Sequence, residues 1–245
     1  MLPGALDFAG VLRVTTTAGA LAARELPARL FRRPGTSSPT TLFGIPGSQL
    51  ARDALAEARD IVSPGILAHS LRCWQWAMGL SAIDGLAPDL EALFVSCVLH
   101  DAALGSAADP HAGCFALLGA QRAQAFVAGH DTTTRAEVVA TAIARHMDPA
   151  TPRGYGPEAA LLHDAAHFDV AGTRYGDLNA AFEGVVIDKY PRDGFTGEFA
   201  AMMRYERSVR PRSTAAVLWR GGLAAVLAIN PLDRVPAPGK RSARS

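Results

Sequence analysis

An imidazole and a carboxylate stand side by side at His100-Asp101, directly after the apolar run 93–99. Burying unpaired polar groups is costly, so two of them at the end of a buried segment need partners. One ordinary partner is the helix itself, with the pair serving as a hydrogen-bonded cap. The other is a divalent metal, because neutral histidine nitrogen and carboxylate oxygen are a normal ligand mixture for zinc, iron or manganese. A lone His-Asp pair does not complete such a site. His69 and Asp169 are the further candidates, one on each side in the chain. Two imidazoles and two carboxylates neutralise a dication and leave positions for water, and an open position separates a catalytic site from a closed structural one. A bound cation lowers the pKa of its water towards neutrality, which makes a nucleophile.

Helices have to position these groups. Ser48 is a good N-cap for residues 49–61, where Leu50, Ala54, Ala58 and Ile61 share a face. Ser63-Pro64 starts a second helix with proline at its first position. That helix carries His69, Arg72 and Trp76 near one face at three- and four-residue spacing. Pro88-Asp89 opens the helix that ends at His100-Asp101. Residues 102–113 read as a loop. Residues 115–127 read as a helix with Leu118, Ala125 and Phe126 available to the core. Asp131 or a following threonine caps 135–146, which ends in His146. Residues 149–157 form a loop, and 158–168 form a helix that hands over to Asp169-Val170-Ala171-Gly172. Further helices span 177–190, 197–210 and 214–229. Strand patterns are nearly absent beyond residue 48, so the fold class is all-α, a bundle of roughly nine helices. Residues 1–47 read as a poorly committed N-terminal extension, with a strand and a short helix within 11–30 and a loop over 32–39. Residues 48–230 form the helical metal-binding domain, and 231–245 a basic C-terminal tail, frayed from 235 on.

The chain has 245 residues, 49% hydrophobic and 19% charged, enough for one large domain or two small ones with a real core. A formal net charge of +1 gives no electrostatic argument for nucleic acid or an anionic membrane. The expected partner is a small-molecule substrate, with a homo-oligomer left open. Cys73, Cys97 and Cys114 lie far apart in or beside apolar helical stretches, as buried free thiols do, which fits a reducing, cytoplasmic setting. No apolar run reaches the roughly 18 residues of a membrane span; the closest is 221–229. Asp7 precedes the first arginine, Arg13, which argues against a signal peptide.

The order His69, His100-Asp101, Asp169 resembles the HD superfamily of metal-dependent hydrolases, an all-helical family with a His…His-Asp…Asp set around a metal. The matches are His69 in AHSLR, His100 and Asp101 in VLHDAAL, and Asp169 in FDVAG. Over about residues 46–215 the chain is similar to one branch, the cyanamide hydratase-like proteins. SQLARDALAEA, HSLRCW, FALLGAQRAQAF, AIARHM and YPRDGFTGEFAAMMRYERSVRPRS carry that likeness. Two departures stand out. The family's usual His-Asp-Ile-Gly reads His100-Asp101-Ala102-Ala103, and Ala116 follows Phe115 where the branch often has an acidic residue. The resemblance implies a divalent metal held by His69, His100, Asp101 and Asp169, with zinc first and iron, manganese or nickel also suited.

Each candidate has an ordinary alternative. His69 could be a satisfied core histidine, and Asp169 a cap for the next turn. His163-Asp164-Ala165-Ala166-His167 places two histidines at i and i+4, as in the His-Glu-x-x-His zincin motif, but Asp164 is one methylene short of that motif's glutamate. His163 and Asp164 then read as helix-surface or supporting groups. His146 could contact substrate or a metal-bound water, or stabilise its helix C-terminus as a cation. Arg72 could orient Asp101, bind an anion, or form a surface salt bridge. The arginines at 204, 207, 210 and 212 could bind phosphate or form a solvated face.

Two chemistries share the metal set. In a hydratase or hydrolase of a small substrate, metal-bound water attacks an electrophilic carbon such as a nitrile. Asp101 then takes the proton, and His146 or another pocket group protonates the developing nitrogen. The branch resemblance implies a cyanamide-like substrate. In a phosphohydrolase the water attacks phosphorus, which requires cations near the metal, with Arg72, Arg145, Lys189 and Arg192 as candidates. A small apolar pocket favours the first and an arginine-lined cleft the second. A non-catalytic helical binding module that retains the ligand set is the third reading.

Overall fold

The computed structural model describes residues 2–30 and 39–235. Among them the chain is all-helical with no sheet; the isolated bridge Asp109–Ala112 is its only strand-like pairing. The helices are α1 (Phe8–Leu30), α2 (Gln49–Ile61), α3 (Pro64–Asp84), α4 (Leu90–Leu99), α5 (Phe115–Ala128), α6 (Thr133–Arg145), α7 (Pro157–Ala171), α8 (Ala180–Lys189) and α9 (Phe195–Val209). Then come α10 (Thr214–Leu218), a π-helical turn (Trp219–Leu223) and α11 (Ala224–Ala228).

Local chemistry sets most helix starts. The side chains of Ser48, Ser63, Asp89, Thr132, Asn179 and Ser213 each accept a backbone N–H of the following turn. Each thereby satisfies a donor that a helix N-terminus leaves orphaned. At α6 the cap is Thr132, while Asp131 pairs with Arg135.

α3 and α7 form the spine. α7 is buried on nearly every side, from Glu158 to Ala171, as a helix at the centre of a bundle must be. Trp76 of α3 packs on Phe168 of α7 and edge-on against Phe182 of α8, while Trp74 meets Phe94 of α4 edge-on. One hydrophobic cluster gathers α2, α3, α4, α6, α7 and α8. A second gathers α1, the start of α5, α9, α10 and α11. His69 lies between them, with Cys73 on one side of its ring and Phe195 stacked on it at 4.9 Å.

The structure differs from the sequence expectations in four places. Residues 11–30 hold no strand. α1 is one continuous helix, with Val14 buried against α10 and a backbone clasp between Leu6 and Arg212. The segment 214–229 is not one helix, because Gly222 at φ 114° breaks it and only glycine adopts that conformation readily. α7 runs on to Ala171, so Asp169 lies within its last turn, and Gly172 at φ 62° ends it. Residues 231–235 belong to the packed body rather than a tail: Leu232 is buried, and Asp233 accepts a hydrogen bond from Arg192. The loop expected over 32–38 and the tail beyond 235 lie outside the described residues.

Taken end to end, Thr214–Arg234 has the length and apolarity to cross a membrane, contrary to the expectation that no run would. The Gly222 kink interrupts it, and Ala215, Ala216, Val217 and Leu227 are buried against the rest of the chain. Of its apolar window, 44% is buried.

Candidate metal centre

Three helix C-termini meet the middle of α3. α4 ends at His100, α6 at His146, and α7 just past Asp169. A helix C-terminus presents carbonyls without intrahelical partners and the negative end of its dipole, a setting that favours a cation. His100 and His146 use the same local device. His100 Nδ1 donates to the Cys97 carbonyl at 2.8 Å, and His146 Nδ1 to the Ile143 carbonyl at 2.6 Å. On α3, His69 Nδ1 donates to Asp169 Oδ2 at 2.7 Å. All three acceptors can only accept, so each Nδ1 carries the proton and each Nε2 is left as the other ring atom.

The three Nε2 atoms converge on Asp101. His69 Nε2 lies 3.2 Å from His100 Nε2 and 3.6 Å from Asp101 Oδ2. His100 Nε2 is 3.4 Å from Asp101 Oδ2, and His146 Nε2 is 3.7 Å from Asp101 Oδ1. All four side chains are buried. Burial, with His100 alongside, pushes His146 down to about 3. Burial also lowers His69, against the opposing pull of Asp169. His146 therefore meets the Ile143 carbonyl as a neutral ring, not as a cation.

Asp101 Oδ2 and His146 Nε2 are buried without a hydrogen-bond partner. Each such orphan costs about 1–3 kcal/mol, so the pair calls for an occupant. Ligands about 2.0–2.2 Å from a tetrahedral centre stand about 3.4 Å apart, which matches the observed spacing. The ligand atoms of His100, Asp101 and His146 lie within 4.8 Å of one another, and so do those of His69, Cys73 and His100; this buried assembly could hold a metal ion. Burial raises the Cys73 thiol well above its usual range, and its Sγ lies 3.7 Å from both nitrogens of His69.

Asp169 does not take the place expected of it. Its Oδ1 accepts from Arg72 Nε and Trp76 Nε1, both at 2.8 Å. Its Oδ2 accepts from His69 Nδ1 and from Arg72 Nη2 at 2.8 Å, and Arg192 Nη1, which donates to the Asp169 backbone carbonyl, stands 2.9 Å from it as an ion pair. Four hydrogen bonds fill the roughly four lone-pair sites of a carboxylate, so none remains for a shared ion. Burial opposes its ionisation, but Arg72 and then Arg192 hold it well below the usual carboxylate range. Asp169 is thus the group that orients His69, the role carboxylates commonly play behind a ligating histidine.

Arg72 is likewise not a pocket group. Its guanidinium grips Asp169 through Nε and Nη2, and its Nη1 donates to the carbonyls of Tyr190 and Pro191. It neither touches Asp101 nor forms a surface salt bridge. Of the predicted set, the structure brings together His69, His100, Asp101 and His146, and sets Asp169 and Arg72 behind them. Sequence reasoning missed Trp76 and Phe195 as partners here, although Trp76 shares the face of His69 and Arg72 on α3.

The zincin-like histidines serve elsewhere. His163 bonds Asp164 and the Asp148 carbonyl, and His167 Nδ1 donates to the His163 carbonyl. The two rings stack at 4.1 Å, and neither joins a ligand cluster among the described residues. His163 and Asp164 are buried rather than on the helix surface. Arg210 is buried on Glu206 and the 106–107 backbone, and Arg212 clasps Leu6, so neither offers a phosphate site.

The cluster opens into a small pocket of about 20 Å³, walled by Met147, Ala166, His167, Val170, Phe199 and Leu223. No lysine or arginine is among its described lining residues. No protein-family model matches the chain, and no curated protein matches it.

Proposed function

We propose that this protein is a metal-dependent hydrolase or hydratase that acts on a small uncharged substrate of the cyanamide or nitrile kind. One observation carries the reading: orphaned lone pairs on Asp101 Oδ2 and His146 Nε2, beside His69 and His100, at the floor of an apolar pocket. The ordered sequence likeness to HD hydrolases supports the same class. A divalent cation held by His69, His100, Asp101 and His146, with zinc first and iron, manganese or nickel as alternatives, would supply a water acidic enough to attack near neutral pH.

The chain's own groups do the rest. Asp169 and the Cys97 and Ile143 carbonyls fix the three rings, so the site is preorganised. Asp101, through the carboxylate oxygen that the cation leaves free, would take the proton released by the nucleophile. Met147, Val170, Phe199 and Leu223 give the pocket its apolar lining. A phosphohydrolase needs cations to hold phosphate oxygens. Arg72 and Arg192 are engaged with Asp169, and Arg145 with Asp148 and Tyr155, so the pocket gives that reading no support.

Elemental analysis of the purified protein, with turnover of cyanamide, simple nitriles and nucleotides under added zinc, iron(II) or manganese, tests the proposal. The expected result is stoichiometric divalent metal and turnover of the small uncharged compounds. Turnover of nucleotides alone would move the protein to the phosphohydrolases, and bound metal without any turnover would make it a binding module.

A further inference from the structure

A second and larger pocket adjoins the first. It holds about 210 Å³, and His167 and Leu223 line both spaces. We propose that this outer pocket seats a long apolar, uncharged body of the substrate, whose polar end reaches past His167 to the cluster. The proposal rests on the hydrolytic reading only for the direction in which the substrate lies.

One wall is apolar and built by the kink. Leu218, Leu223 and Val226 flank Gly221 and Gly222, and Leu21 of α1 contributes to the same lining. Among the described residues a Cβ at either glycine would meet nothing within 4 Å, so the two glycines leave this side of the π-helical turn open. Single π-helical turns inside helices are frequent at functional sites. The N-terminal helix, which the sequence left as an extension, is therefore part of this pocket.

The other wall is polar but repels anions. Arg174 is its only cation among the described lining residues, and it already bonds Asp84, Asp164 and Asp177. Asp164 also accepts from Thr151 at 2.6 Å. At the junction, His167 Nδ1 donates to the His163 carbonyl, which leaves Nε2 as an acceptor for a substrate N–H. Apolar length, absence of negative charge and a terminal N–H donor describe a straight-chain primary amide or a compound of that shape.

Calorimetric titration of the metal-loaded protein with primary carboxamides, from acetamide to octanamide, is the test. Affinity should rise about fourfold for each added methylene, as burial of hydrocarbon predicts. Octanoate should bind more weakly than octanamide. Ala18→Trp on α1 and Val226→Trp on α11 each fill the pocket and should flatten the dependence on length. The slope in the parent protein needs no variant, so a misfolded substitution leaves the test intact. Affinity independent of chain length, the parent slope in both folded variants, or octanoate binding as tightly as octanamide overturns the proposal. Metal content is read separately. Absent metal with a retained slope removes the hydrolytic reading and keeps the pocket, and bound metal with a flat slope does the reverse.

Discussion

A histidine can be placed as a ligand only when its second nitrogen has an acceptor, and here all three rings have one. Two of those acceptors are carbonyls three residues back, so His100 and His146 carry their tautomer in the local helix end. The third is Asp169, whose charge depends on Arg72 and Arg192. Asp169→Asn should therefore have two consequences. Metal affinity should fall about 10- to 100-fold, as for other carboxylates that support a ligating histidine. Stability should fall by about 3–5 kcal/mol, because the buried Arg72 guanidinium loses its counter-charge, while Arg192 keeps Asp233. Chelator competition and urea unfolding read the two separately, and a variant that binds metal like the parent would return Asp169 to a bystander's role. His100→Ala should lose the metal, whereas His163→Ala should retain it. His69, His100 and Asp101 could be read from the chain because polar groups within apolar runs stand out. Asp169 could be read as important but not as a supporting group, since its role depends on Arg192, which reaches it from a separate segment.

Helix starts were readable because a cap bonds a neighbour two or three residues away; Ser48, Ser63 and Asp89 work this way. Features that depend on a distant element were not. α1 owes its place to the clasp with Arg212, and nothing in residues 8–30 announces that. The break at Gly222 is hidden in an apolar run that reads equally well as one helix. The end of α7 was misplaced by a few residues because Gly172, not Asp169, terminates it. Gly172 is also a close-packing position: a Cβ there would lie 2.8 Å from Pro231 Cδ, at a φ of +62°. Gly172→Ala should cost about 1–3 kcal/mol and weaken metal binding through the displaced α7 terminus. Gly129→Ala is the contrasting case. Its φ is −80° and the nearest atom stands at an ordinary 3.5 Å, so stability there should hold or rise by about 0.4–1 kcal/mol. Equal effects at the two positions in urea unfolding would refute the role given to Gly172.

Across the whole molecule, two hydrophobic clusters close on a seam of buried polar groups, and that seam makes folding sensitive to acid. His146 is held down to about 3, against about 6.5 for a histidine in the unfolded chain. Between those values the unfolded chain binds a proton that the folded one does not, so stability falls as pH falls. Asp169 acts in the same direction at lower pH. Its carboxyl is depressed in the fold, so its contribution is complete above the unfolded value of about 3.9 and is lost as pH drops through the folded one. The metal-free protein should thus lose stability from about pH 6.5 downward, at up to about 1.4 kcal/mol per pH unit for each such group. His146→Gln removes one share of this slope and should make the urea midpoint less pH-dependent between about pH 6 and 4, while His167, also held down to about 3, and His69 keep the rest. Metal should steepen the upper limb in the parent, because protons compete with the cation for the same nitrogens. An identical pH profile for the parent and His146→Gln would mean that His146 is protonated in the fold, and the neutral-ligand account of the site would fail with it.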